Sequence, residues 1–115
     1  MVVGNIKDLE SKIITMDGAK NSVMKVLVSK DEGWEDHVMR VVEVLEEGYT
    51  PKHNHPWPHI NYMIEGDGEL LIDGIVNKVT TGSYAFVPSN SIHQFRNSGK
   101  GIFKFICIVP KIGHK

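Results

Sequence analysis

The sequence predicts an all-β fold, a sandwich or barrel of short antiparallel strands. Three observations carry this. Runs rich in Val, Ile, Phe and Tyr return about every eight to twelve residues. Gly, Pro, Asn and Asp separate them, which is turn chemistry rather than linker chemistry. No stretch shows the period of an amphipathic helix, and no repeat or low-complexity run is present.

Residues 1–22 are mixed and polar, with Ile13-Ile14-Thr15 as a short strand and one or two helical turns near Ile6–Ser11. Val23–Val28 is β-branched and reads as a strand, and Lys30–Asp36 as a charged connection. His37–Leu45 is valine-rich and suits a strand buried on both faces. Glu46–Pro51 is a turn. Strands follow at His59–Glu65, Glu69–Asp73 and Ile75–Thr80, the first two separated by Gly66-Asp67-Gly68 and the last two joined at Asp73-Gly74. Ser83–Val87 is ended by Pro88. Ile92–Asn97 and Ile102–Val109 complete the set, and Lys111–Lys115 is a frayed tail.

A chain of 115 residues implies one domain, 1–115, large enough for one core. With 41% apolar and 23% charged residues it matches ordinary soluble proteins. A net charge of −1 without a basic stripe argues against nucleic acid. No apolar run is long enough for a bilayer, and no signal peptide is visible, so no membrane role and a cytoplasmic location are expected. The single Cys107 rules out an intrachain disulfide and reads as a buried apolar residue in a strand.

The chemistry concentrates in Lys52-His53-Asn54-His55-Pro56-Trp57-Pro58-His59. In extended chain, His53 and His55 point the same way. Pro56 and Pro58 force a bend, which returns His59 toward them from the start of the next strand. Two imidazoles and a third after a turn suit a transition metal. His93 lies further along. His37 and His114 have no such partners and read as structural or exposed.

These residues resemble the two motifs of the cupins. The first is matched by His53-Asn54-His55, His59 and Gly66, and the second by Gly82, Pro88, His93 and Asn97. They occupy about 47–66 and 82–97. The resemblance implies a cupin-type double-stranded β-helix, a jelly-roll barrel, with one divalent metal (Mn, Fe, Ni, Cu or Zn) on His53, His55, His59 and His93. Three positions depart from the pattern. His59 replaces the usual glutamate, Asn90 replaces a glycine, and Glu47 stands where glycine is frequent, with Gly48 next. Asn tolerates the left-handed backbone that such a turn needs. Four neutral imidazoles leave the full 2+ charge on the ion, which makes it a stronger Lewis acid and more receptive to anionic oxygen. Affinity should fall below about pH 6.5, where free imidazole protonates.

Alternation sketches the pocket. An inward His59 brings Asn61 and Met63, an inward His93 brings Phe95 and Asn97, and the final strand offers either Phe103, Phe105 and Cys107, the favoured register for its bulk, or Lys104, Ile106 and Ile108. The expected lining is therefore Asn61, Met63, Phe95, Phe105 and Cys107. Asn97 is expected to brace its loop rather than bind metal. Trp57 is either a rim residue over the pocket or an anchor on a partner surface. Glu43 and Glu65 face inward only in the other register, Tyr62 and Tyr84 face out, and no catalytic acid or base is identified.

The resulting expectation is a metal-binding cupin acting on a small molecule, a dioxygenase or related oxidative enzyme. Alternatives are a non-redox isomerase or decarboxylase of a sugar or carboxylic acid, or a non-catalytic binding or sensor module. The resemblance also implies a homodimer, with residues 1–28 covering the open sheet edge.

Overall fold

The computed structural model describes residues 1–114. Its strands are β1 Lys12–Ile13, β2 Lys20–Val28, β3 His37–Tyr49, β4 His59–Glu65, β5 Asp67–Ile72, β6 Ile75–Thr80, β7 Tyr84–Val87, β8 His93–Asn97 and β9 Phe103–Pro110. All pair antiparallel in the order β6-β5-β8-β3-β9-β4-β7, with β2 on β3 and β1 on β2, and wrap into a nearly closed barrel. No helix among the described residues is long and apolar enough to cross a membrane.

The period of two decides what faces inward. On β4, His59, Asn61 and Met63 are buried while Ile60 and Tyr62 are about half exposed. On β9, Phe103, Phe105, Cys107 and Val109 are buried. Register then sets neighbours: Asn61 lies opposite Cys107 and Met63 opposite Phe105, while Arg40 and Val42 on β3 face the same two β9 residues from the other side. The core is Val42, Val44, Met63, Leu70, Val87, Phe95, Phe103 and Phe105. The Phe95 and Phe105 rings stack at 4.1 Å and Phe103 leans on Phe105 at 5.3 Å. Each such ring contributes about 1.5–3 kcal/mol by leaving water.

Several boundaries differ from expectation for local reasons. The turn expected over 46–51 is a bulge, and β3 continues to Tyr49. Glu47 takes a φ of 64°, and a Cβ on Gly48 would lie 2.7–2.8 Å from the carbonyls of Lys20, Asn21 and Leu45. The bulge hands β3 over from β9 to β8, where Tyr49 pairs with Arg96. The turn over 66–68 shrinks to Gly66 (φ 83°), whose missing Cβ lets the Ile102 carbonyl approach. The early strand is Lys12–Ile13 rather than 13–15, and the helical turns near Ile6–Ser11 reduce to a 3-10 turn at Ile6–Asp8. Residues 111–114 are not frayed. Lys111–Gly113 forms a 3-10 turn, and Gly113 packs against the Trp57 indole so closely that a Cβ would collide with it. Lys115 lies outside the described residues.

Candidate metal centre

Two backbone devices gather the histidines. After the bulge, the chain runs along β8: Thr50 N–H donates to the Phe95 carbonyl at 2.9 Å, and His53 and His93 exchange N–H···O=C bonds of 3.1 and 2.9 Å. That bridge clamps His53 beside His93. The loop before β8 is tied back to the same stretch, because Asn90, at φ 69°, donates its N–H to the His55 carbonyl at 2.7 Å. Asn90 thus adopts the left-handed backbone a glycine would supply. His59 opens β4 after the Pro56–Pro58 bend and is 6% exposed.

The imidazoles of His53, His55 and His93 cluster, each offering a nitrogen within 4.8 Å of the others. The His59 ring adjoins this group, with centroids 4.9 Å from His93 and 5.4 Å from His55. The hydrogen bonds of the rings fix their tautomers. Nδ1 of His55 donates to the Trp57 carbonyl at 2.7 Å, Nδ1 of His93 to the Ser91 carbonyl at 2.9 Å, and Nδ1 of His59 to Asn61 Oδ1 at 2.7 Å. Asn61 is oriented for this because its Nδ2 donates to the Ile106 carbonyl. With the proton on Nδ1, each Nε2 carries a bare lone pair.

His59 Nε2 and His93 Nε2 stand 3.1 Å apart. Two lone pairs facing at that distance repel unless a cation lies between them. Two nitrogens about 2.1 Å from one ion and at right angles are about 3.0 Å apart, so the donor set fits a transition metal. Protonation of His53, His59 and His93 does not compete at neutral pH. Burial, then the adjacent His93, pushes His59 down to about 3, and burial with His93 and His55 pushes His53 down to about 4. Burial lowers His93 as well. The Arg40 guanidinium depresses His53 and His59 further.

The histidines open onto a cavity of about 480 Å³. Of the expected lining, Asn61, Phe95, Phe105 and Cys107 border it. Met63 does not. It is fully buried one layer deeper, in the core, because a residue two positions along β4 has already passed the cavity floor. Trp57 is a rim residue: it stacks on His55 at 4.6 Å with 6° between planes and lines the cavity. Asn97 braces its loop through Val44 and Gly101 carbonyls at 2.8 and 2.7 Å. Glu43 and Glu65 pair with Lys25 and Lys104 away from the cavity. Tyr62 and Tyr84 are exposed, and His37 stacks on Trp34.

Sequence reasoning missed Arg40 and the C-terminal turn. Arg40 lines the cavity, and its Nη1 lies 3.2 Å from His114 Nδ1. The signal was present: Arg40 shares the strand parity of Val38, Val42 and Val44, so a charge stands in a row of inward valines.

Comparison with known proteins agrees with this architecture. The polyketide cyclase RemF from Streptomyces resistomycificus is 28% identical, superposes with a TM-score of 0.90, and aligns over 96% of this chain and 79% of its own. A predicted oxalate decarboxylase from Thermotoga maritima has a TM-score of 0.85 at 20% identity, over 95% of this chain and 98% of its own. An uncharacterized protein of Aquifex aeolicus is 22% identical over 96 residues, 83% of this chain and 75% of its own. The family model described as cupin domain matches residues 40–109. With that match spanning most of the barrel that holds the histidine cluster, the chain belongs to the cupin family.

Proposed function

We propose that the protein is a metal-dependent enzyme acting on a small organic molecule, with one divalent ion held by His53, His55, His59 and His93. The observation that carries this reading is the set of Nε2 lone pairs converging at the cavity, with the opposite ring nitrogens of His55, His59 and His93 tied to acceptors. A bound Mn, Fe, Ni, Cu or Zn would supply Lewis acidity and, if redox-active, oxygen chemistry. The chain's own part is to keep the His53, His59 and His93 imidazoles neutral, fix ring orientation through Asn61 and two carbonyls, and exclude water with Phe95, Phe105 and Val42. Elemental analysis of protein without affinity-tag histidines, reconstituted with each metal in turn, tests it. About one equivalent is expected, and less than about a tenth with every metal overturns the reading.

The reaction class we favour is oxidative, of the dioxygenase type. Among the described residues no Asp or Glu lines the cavity to move protons, and O₂ chemistry asks least of the protein. Both oxygen atoms would enter the organic substrate, which is the reductant. A specific observation favours a second, non-redox reading: the similarity to a polyketide cyclase is the strongest of those described, in identity and in superposition. Turnover under strict anaerobiosis separates the two, since only the oxidative reaction stops.

We also propose that two copies pair in a cytoplasmic homodimer. Ile60, Tyr62, Tyr84 and Phe86 leave an apolar face on β4 and β7 exposed, and β7 ends the sheet. Part of the expected covering segment, 1–28, is occupied within the chain, because β2 pairs with both β1 and β3. Light scattering at micromolar concentration checks this, and a monomer refutes it.

A further inference from the structure

Arg40 is a charge in an apolar row. Val38 and Val42 flank it on the inward face of β3, both at most 6% exposed, and inward Cys107 is its register partner on β9. Its Nε is buried without a hydrogen-bond partner. The ion pairs among the described residues are Lys25–Glu43, Arg96–Glu69 and Lys104–Glu65, and Arg40 belongs to none. Among the described residues, the only other formal charge on the cavity wall is Lys12, also positive. A half-buried guanidinium with no carboxylate partner among the described residues is costly, and valine-rich surroundings do nothing to offset that. Beside the histidines and a few polar groups such as Thr50 and Asn61, the wall carries an apolar stretch of Ile14, Met24, Val42, Phe95 and Phe105.

We infer that Arg40 is the anion-recognition residue of the cavity and that the ligand is an organic monocarboxylate with an apolar body. The carboxylate accepts from the Arg40 guanidinium where it borders the cavity, and the body lies along the apolar side chains of the wall. A planar fork matches a carboxylate with two parallel bonds. A two-carbon diacid would leave most of a 480 Å³ apolar cavity empty. This inference rests on the metal-site reading and deepens it by naming the substrate class.

Zinc-reconstituted full-length protein is titrated calorimetrically with benzoate and 3-phenylpropanoate, and with benzamide and 3-phenylpropanamide, which keep the shape and lose the charge. The acids should bind about tenfold or more tighter than their amides. Arg40→Met should cut that ratio at least about fivefold with zinc per chain unchanged, and Arg40→Lys should keep part of it. The melting temperature of ligand-free Arg40→Met should hold or rise, because a half-buried cation with no counterion among the described residues is gone. Equal binding of acid and amide, no acid binding at millimolar concentration, or a ratio that changes less than about fivefold in Arg40→Met overturns the inference. A purely structural role through His114 predicts a lowered melting temperature and an unchanged ratio. If zinc binds stoichiometrically and the ratio is flat, the anion site falls and the metal reading stands. If no metal binds but the ratio depends on Arg40, the metal reading falls and the anion site stands.

Discussion

β4, β8 and β9 each run from one end of the barrel interior to the other, and each changes chemistry on the way. β4 passes from His59 and Asn61 to Met63, β8 from His93 to Phe95, and β9 from Phe103 and Phe105 to Cys107. β3 does the same, from Arg40 to Val42 and Val44. At the closed end the inward residues are mostly apolar and buried, with Val44, Met63, Leu70, Val87 and Phe103 at its centre. At the open end imidazoles, an amide and a guanidinium join apolar residues such as Cys107 around a cavity. Alternation decides which side chains point in, and position along the strand decides whether they pack or bind. Stability and function are thus separable by a shift of two residues.

The sharpest way to break this division is at the closed end. Phe103→Ala removes a fully buried ring and should destabilise the fold by about 3–5 kcal/mol in denaturant titration. Metal stoichiometry of the molecules still folded should not change. If it does, the two ends are coupled and the division fails.

The mirror experiment is His93→Ala. It should weaken metal binding beyond the roughly 100-fold that marks the upper range for outer partners, measured by competition with a chromogenic chelator. Metal-free stability should hold or rise, since the facing Nε2 lone pairs are gone.

Next comes Asn61→Leu, which frees His59 Nδ1 and lets the ring choose its tautomer. A loss of about 10–100-fold in metal affinity is expected by the same competition assay.

The smallest effect is that of pH on the metal-free protein. Unfolded histidine takes up its proton near 6.5, whereas folded His59 resists until about 3 and His53 until about 4. Between those values the unfolded chain binds more protons, so stability rises with pH. The contribution is whole above about 6.5 and is lost as pH falls toward 3–4. For His59 alone, about 1–2 kcal/mol should be gone by pH 5. Urea midpoints from pH 7 to 5 should show it, and His59→Gln should flatten the slope.

The alternation on β4, β8 and β9 was legible because bulky Phe103 and Phe105 favour one of the two inward registers of β9, and an inward His59 fixes Asn61 and Met63 on its face. The histidine cluster was legible from spacing and resemblance together. β3 was not: valines on both parities hid which side Arg40 faces, and the cover of β2 buries Val41 as well as Val42. The bulge at Glu47–Gly48 read as a turn because glycine signals a chain bend without saying whether pairing resumes. The docking of Gly113 on Trp57 is a long-range contact with no local signature.

The stacking of Trp57 on His55 gives the molecule a built-in gauge. The other indole, Trp34, rests on His37, which does not belong to the cluster. An ion seated on His55 perturbs the emission of one indole and leaves the second as a baseline, so site occupancy becomes readable in unlabelled protein by light alone.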